Sequence, residues 1–469
     1  MEQLTWTGNL AFLNPIFLTA SAVLVIAVAA QILLSLVPSS GTRTGPMTLA
    51  VTRGPADYAG LVVKWSFSFL VLVVLVYLIG GIAMPSLEAK GIVGGMSTRF
   101  LPIWIGMAIV FALSITFKRR LGLYGKLFDS PIGMIGFGIV LFWVFAAVFA
   151  DLIITHDPLG QVSGMKNAVP GSPMPADYEG FAYYLLGGDN LARDVFSRMV
   201  MGARRVLVIA PAATLFAFMV GITLGLPAGY FGGKLDTFLS FLANLVLAFP
   251  VILLFYLLVT PEIRVTGIPI ILAAVLFLFP IIFLTILFNS RYFTQPAKRN
   301  LYIGITLVFG LWAYSGLAFN MDPLGVWGMD ANLLNVFVSV VFVNSPTVFR
   351  IVRGIVLDIR TRDYVAAGQT RGEGPWYIML WEILPNARGP LIVDFCLRIG
   401  YTTILLGTLG FFGLGVSPES PDWGSTINDG RRLLSIYPHP ALAPAVALMS
   451  LVLGLNLLAD GLREESLRD

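Results

Sequence analysis

Few side chains in this 469-residue sequence could do chemistry, and most of them come as acid and base pairs spaced for one helical face. Asp394 and Arg398 stand four apart inside an apolar run, as do Asp189 with Arg193 and Asp194 with Arg198 in the stretch LLGGDNLARDVFSRMVMGAR. An acid four residues before a base is the better orientation for a helical ion pair. Ionisable groups inside a membrane span cost at least ~2.5 kcal/mol each and normally pair or face water. Asp394 and Arg398 therefore read either as a structural ion pair or as part of the lining of a translocation route. The histidines are His156, beside Asp157, and His439, between Pro438 and Pro440; both read as ordinary loop residues, with a metal relay as the sharper alternative. GYFGGKLD comes nearest to a phosphate-binding loop, but Ala228 stands where the first glycine is required and Leu235 where the magnesium-binding hydroxyl belongs. The sequence contains no His-Glu-x-x-His, Cys-x-x-Cys or Gly-x-Ser-x-Gly, and the single Cys396 excludes an internal disulfide or a cysteine metal cluster. The expectation is a chain that is not an enzyme, with no catalytic residue, no metal site and no cofactor of its own.

The elements that must hold these groups are membrane helices. The composition is 57% hydrophobic and 12% charged, with mean hydropathy +0.84. Soluble domains carry about 25% charged residues. The net charge of +4 marks cytoplasmic loops rather than a nucleic-acid surface. Apolar runs long enough to cross fall at roughly 11–37, 61–84, 101–117, 131–153, 205–230, 235–260, 268–289, 300–320, 332–352, 391–414 and 440–461, about eleven spans. The N-terminus has no Lys or Arg before Arg43, and its apolar run is too long for a signal peptide, so it reads as a retained span.

Basic residues orient the spans. Arg43 and Arg53, the Lys118–Arg120 run with Lys126, Lys234, Arg291 with Lys298 and Arg299, the 350–388 stretch, and Arg463 with Arg468 all fall on one side if the N-terminus is outside and the C-terminus cytoplasmic. The other side holds Lys90, Arg99, Arg264, Arg431 and Arg432, and the long loop 154–204. In that loop, residues 187–205 read as an amphipathic helix along the outer interface, with Phe196, Met199 and Val200 on its apolar side; the alternative is an outer vestibule.

The chain is organised around TRDYVAAGQTRGEGPWYIMLWEILPNARGP, a polar and aromatic run between two apolar ones. Asp363 suits the cap of a short helix, Gly372 and Gly374 break it, and Pro375 opens a second helix that should stop near Leu384, before Pro385. Two short helices on a glycine hinge would stand out from the membrane as a knob.

This run resembles the cytoplasmic coupling signature of ATP-binding-cassette importer permeases. Aligned on Gly372 and Leu384-Pro385, the signature's Glu falls on Ala366 and its alanines on Ala367 and Gly368. From Pro131 onward the chain is similar to the second permease subunit of the peptide/nickel (dipeptide/oligopeptide) group. PIGMIGFGIVLFWVFAAVFADL resembles that group's leading helix, and Gly187, Asp189, Arg193, Asp194, Ser197, Arg198, Gly202, Ala203 and Arg204 match its outer-loop run. Gly413 to Val416, Trp423-Gly424 and Asp429-Gly430 match further on. The resemblance covers about residues 131–260 and 332–466 and skips the inserted segment between them.

The resemblance implies an all-α polytopic permease, a core of about six helices with about five more. It implies three parts: an N-terminal transmembrane block 1–117, for lateral packing or partner contact; a leading helix and outer loop 118–204; and a permease core 205–469 carrying an insertion at about 262–330. Asp363, Tyr364, Ala366, Ala367, Gly368, Gly372, Leu384 and Pro385 would couple to an ATPase, and Asp189, Arg193, Asp194, Arg198 and Arg204 would line the outer vestibule. The implied partners are a homologous permease, two ATPase subunits holding ATP and Mg, an extracytoplasmic solute-binding protein and membrane lipid, with no nucleic acid, in the inner membrane of a prokaryote. Peptides are the expected substrate, with nickel chelates, glycosides or opines as alternatives. Outside this class, an ion-coupled secondary transporter would need inverted repeats, and a membrane enzyme would need a polar cluster inside the bilayer; neither signal is visible.

Overall fold

A computed structural model describes residues 2–36, 55–414 and 420–466; Arg43, Arg53 and Arg468 of the charge argument, and Gly415-Val416, lie outside the described residues. The chain divides into two compact units, Met1–Leu101 with Val162–Ala192, and Pro102–Gln161 with Arg193–Asp469. In the first unit, α1 (Asn14–Leu36) and α2 (Pro55–Ala83) form an antiparallel pair in which the Tyr77 hydroxyl donates to Asn14 Oδ1 at 2.7 Å. After them comes α3 (Leu87–Arg99), opened by Ser86, whose hydroxyl accepts from the Ala89 amide. A short antiparallel pair, β1 (Ser172–Pro173) and β2 (Tyr183–Tyr184), orders the loop part of this unit.

The second unit holds α4 (Leu101–Phe117), α5 (Gly122–Lys126), α6 (Pro131–Val148), α7 (Ala150–Ile153), α8 (Val195–Phe231), α9 (Gly233–Leu247), α10 (Val251–Val259), α11 (Pro261–Val265), α12 (Ile268–Leu276), α13 (Leu278–Arg291), α14 (Pro296–Phe319), α15 (Ala331–Ile359), α16 (Asp363–Thr370), α17 (Pro375–Tyr377), α18 (Leu384–Asn386), α19 (Arg388–Phe411), α20 (Trp423–Arg431) and α21 (His439–Ser466). Among the described residues, ten helices are long and apolar enough to cross a membrane, or eleven if α9 and α10 count as one span. The expected polytopic all-α architecture is therefore present.

Several boundaries differ from the sequence reading. The run at 235–260 is not straight: α9 and α10 meet at 80°. Pro250 lies at the break; it has no N–H for a helical ladder and keeps Phe249 out of the α region. α8 begins at Val195, well before residue 205, because Asp194 accepts from the amides of Phe196 and Ser197 and so starts the helix inside a charged stretch. α15 runs on to Ile359 rather than ending near 352. The third span, α4, packs within the second unit, where Phe111 stands 5.9 Å from Phe128 and 5.5 Å from Phe137, ring to ring.

The centre of the second unit is a seam between α8 and α15. Gly221, Gly225 and Gly229, each four apart, face Val348, Val352 and Val356; a Cβ on Gly225 would lie 2.9 Å from Val352 Cβ. Lipid gives helices no hydrophobic reason to associate, so close approach through small residues supplies the packing energy. A buried polar layer adds direction: Thr214 and Thr402 hydroxyls lie 3.3 Å apart, and Asn344 Nδ2 donates to Thr402 Oγ1 at 3.4 Å. The C-terminal ends of α8, α13 and α15 gather at one end of the bundle, around α16 to α18. At the opposite end, the starts of α8 and α15 meet the end of α19 and Trp423.

Candidate coupling knob and outer-end residues

The knob begins where α15 ends. Arg360 Nη1 donates to the carbonyls of Gly229 at 2.9 Å and Tyr230 at 3.3 Å, placing a cation on the otherwise unpaired C-terminal carbonyls of α8. α16 follows. Arg362, in extended conformation, is its N-cap, so Asp363 is not the expected cap; it takes the first helical position, where an acid still suits the positive end of the helix. The helix stops at Gly372, whose φ of +78° is a left-handed turn that favours glycine. Gly374 then stands in β conformation and Pro375 opens α17, as the spacing predicts.

The second helix ends near Leu384, at Asn386, but not for the expected reason. Its path continues through a π-turn at Ile378–Ile383 into α18, and Leu384 keeps α conformation, with φ −60° and ψ −40°. Widening the ladder to i→i+5 is how a helix accommodates a proline whose ring would strike the carbonyl four residues back. Pro385 is thus carried within the helical path, exposed, rather than terminating it.

This geometry gives the knob an anchored side and a free side. Val365, Ile378, Met379, Leu380 and Ile383 are buried in a cluster with Leu226 of α8 and Val352, Val356 and Ile359 of α15. Gly368 is buried beside Ile378 and Glu382. Across the hinge, Arg371 Nη2 donates to Glu382 Oε1 at 2.6 Å, and Gln369 Nε2 donates to the Tyr230 hydroxyl at 3.2 Å. Asp363, Tyr364, Ala366, Ala367 and Gly372 are exposed, as is Trp376 at 37%, while Leu384 is half-buried. Two knob partners escape sequence reading: Trp381 Nε1 donates to Ser290 Oγ at 3.1 Å, and the Arg291 guanidinium lies 4.5 Å over the Trp381 ring. Both belong to α13, in the inserted segment. The only signal in the sequence is that Arg291, Lys298 and Arg299 fall on the knob's side of the membrane.

At the other end, residues 187–205 do not form an amphipathic helix on the interface. Arg193 precedes α8 and its Nη2 donates to Asp429 Oδ2 at 2.8 Å. Asp194 caps α8 and also accepts from the hydroxyls of Ser197 at 2.6 Å and Thr155 at 2.8 Å, with His156 Nδ1 3.4 Å away. His156 is therefore a loop residue, as expected, but one buried in this knot. Arg198, 0% exposed, donates to Thr426 Oγ1 at 3.1 Å and to the Pro158 carbonyl at 3.4 Å. The Trp423 indole donates to the Met199 carbonyl at 2.8 Å and fills the space over Gly202, where a Cβ would come within 2.5 Å of its ring. Arg204 forks onto Asp151, at 2.8 Å and 3.1 Å, and holds that carboxyl below its usual range. Asp189 belongs to the other unit, where its Oδ1 accepts from the Leu191 amide at 2.8 Å.

Asp394 and Arg398 do pair: Nε donates to Oδ2 at 2.9 Å, with side chains 16% and 10% exposed. One turn further along α19, Tyr401 is 58% exposed. The ion pair that the spacing allows is thus formed, on a helix with an open face next to it.

Comparison with known proteins places this architecture. The profile of the family described as binding-protein-dependent transport system inner membrane component matches residues 301–464, from the second inserted span through the knob to the last helix. The glutathione transport system permease protein GsiD of Pectobacterium atrosepticum is 30% identical over 279 residues, 60% of this chain and 70% of the relative. Dipeptide transport system permease proteins DppC are similar over longer stretches. That of Alkalihalophilus pseudofirmus is 26% identical over 341 residues, 73% of this chain and 87% of the relative. That of Haemophilus influenzae is 27% identical over 332 residues, 71% and 88%.

Proposed function

From the premise that this chain belongs to the family of binding-protein-dependent transport system inner membrane components, the permeases of ATP-binding-cassette importers, we propose that it carries peptides inward. The names of its relatives, dipeptide and glutathione transport permeases, support a short peptide as cargo. The chain forms half of the pathway, a homologous permease the other half. Two ATPase subunits, which hold ATP and Mg, dock on the 360–390 knob, and an extracytoplasmic binding protein delivers the substrate. The N-terminus is outside and the C-terminus cytoplasmic, a reading supported by the basic residues gathered at the knob's end of the bundle.

The observation that carries this reading is the two-sided knob. Its buried side, Val365 with Ile378 and Ile383, is continuous with the α8–α15 core, while Tyr364, Ala366, Ala367 and Trp376 face outward. A lever needs both properties: a rigid root in the spans and a free surface for a motor to grip. ATP binding closes the ATPases, the knobs move with them, and the α8–α15 seam passes the movement to the spans. The coupling works because ATP and substrate bind the inward- and outward-open states unequally.

The test is uptake of a labelled dipeptide by liposomes holding the chain with its permease, ATPase and binding-protein partners. ATP-dependent accumulation is expected. Accumulation driven by an ion gradient without ATP would make the chain a secondary transporter. In a Cys396→Ser background, Trp376→Cys should react with a membrane-impermeant maleimide only from the cytoplasmic side, and labelling from outside would remove the knob's role.

A further inference from the structure

The inserted segment meets the knob at the depth where spans end. α13 stops at Arg291 and α14 starts at Pro296, so the turn between these two apolar helices lies at the level of the lipid headgroups. Opposite it stands the start of the knob's second helix, and between them is a cavity of about 430 Å³. Among its lining residues, Asn289 has an amide, Arg291 a guanidinium, Thr294 and Tyr377 hydroxyls, Trp376 an indole and Glu373 the one carboxylate. Arg291 is exposed, and among the described residues no carboxylate forms an ion pair with it. Its guanidinium lies 4.5 Å over the Trp381 ring, a cation–π contact that holds the group in place, and none of its N–H groups is hydrogen-bonded among the described residues. Exposed Lys298 and the half-buried Arg299 follow Thr294 closely in sequence, in the first turn of α14, while the one lining acid, Glu373, lies 4.0 Å from Arg371.

We propose that this cavity holds the phosphate headgroup of an anionic phospholipid of the inner leaflet. Arg291 is its phosphate ligand, and the bound lipid bridges the inserted helices to the knob. A pocket at headgroup depth lined by an arginine held over an indole and by neutral donors fits a phosphodiester with its acyl chains running down beside α13 and α14. The assignment rests on the cytoplasmic placement of the knob argued above, because only that side faces the inner leaflet.

The experiment uses the purified full-length chain, stripped of lipid in detergent and incubated with phosphatidylglycerol or phosphatidylcholine; native mass spectrometry then reads the retained lipid. Retention of phosphatidylglycerol over phosphatidylcholine is expected, with roughly fivefold weaker retention in Arg291→Gln, the value of one basic residue at an anionic surface. Arg291→Lys should keep most of it, and Arg119→Gln, an exposed arginine of another loop, should keep all of it. Equal retention of the two lipids by the wild type overturns the proposal without reference to any variant. Displacement by inorganic phosphate alone would show a soluble-anion site and overturn it too, as would a cavity that crosslinks through Thr294→Cys to the ATPase while retaining no lipid. Since no ATPase is needed for the lipid measurement, its failure leaves the transport reading untouched, and a failure of ATP-driven uptake leaves the lipid result standing.

Discussion

Arg353 and Asp236 are joined by two parallel hydrogen bonds, Nε to Oδ1 and, at 2.6 Å, Nη2 to Oδ2, which tie α15 to α9 next to the root of the knob. The pair is partly buried, with side chains 33% and 16% exposed, so it falls between a screened surface pair and a desolvated one. Asp236→Asn leaves the guanidinium facing a neutral amide and should lower stability by about 1–2 kcal/mol. Thermal unfolding in detergent measures this. Arg353→Gln should add little on top of it in a double-mutant cycle, since each single change already breaks the same contact. Additive losses would show that the two residues act separately.

The glycine seam makes a sharper prediction. Alanine at Gly225 gains about 1 kcal/mol in helix propensity, but its methyl would press on Val352 at 2.9 Å and on the Phe349 carbonyl at 3.1 Å. The near atoms include α15 backbone, which cannot rotate away, so overpacking of about 1–3 kcal/mol wins and Gly225→Ala should destabilise. Gly354, on α15 itself, has open space where a Cβ would stand, with no atom within 4 Å, so Gly354→Ala should be neutral or stabilising. If both variants melt alike, the seam is not tight.

At the hinge the cost is conformational alone. Gly372 sits at φ +78° with open space around it, so Gly372→Ala strains only the backbone, by about 1–2 kcal/mol. The strain is local to the knob. Folded yield should hold while substrate-stimulated ATP hydrolysis falls, and Gly372→Asn, which tolerates the left-handed region, should recover part of it. A fall in yield matching the fall in hydrolysis would mean that the hinge matters for folding and not for coupling.

How far the sequence reveals this structure depends on the range of the interaction. The spans are legible because twenty apolar residues in a row have few other uses, and the knob's hinge is legible because Gly372, Gly374 and Pro375 act on their own backbone. The π-turn is not, because Pro385 signals a stop and only the packing of Ile378, Met379 and Ile383 shows that the helix goes on. The long-range partners of Arg193 and Arg198 are hidden for the same reason. Their spacing points to Asp189 and Asp194 and says nothing of Asp429 and Thr426, far along the chain, to which Arg193 and Arg198 donate. Ser290 and Arg291 cannot be read as partners of Trp381, since nothing in a span's hydropathy indicates which neighbour its end will touch.

Asp422 carries the pH prediction. It caps α20 through Oδ1, which accepts from the Ser425 amide at 2.9 Å, while its Oδ2 is sealed from solvent with no partner among the described residues. Burial raises its pKa above the ordinary 3.8, against the opposing pull of the Ser425 amide and the Arg198 charge. A carboxyl whose folded pKa is raised favours the fold when neutral. Its contribution is complete below the unfolded value of 3.8 and is lost as pH climbs through the raised folded value. Asp422→Ser keeps an oxygen for the cap and removes the stranded one, so it should unfold at a higher temperature than wild type near neutral pH, with the gap closing as the pH is brought below that of an ordinary carboxyl. Asp422→Ala loses the cap as well and should be less stable than the serine variant by about 1 kcal/mol at every pH. A wild type and serine variant whose melting temperatures run parallel across the whole pH range would mean that Asp422 takes up its proton alike in the folded and unfolded chain, and a gap that widens on acidification would mean that the Arg198 field outweighs its burial.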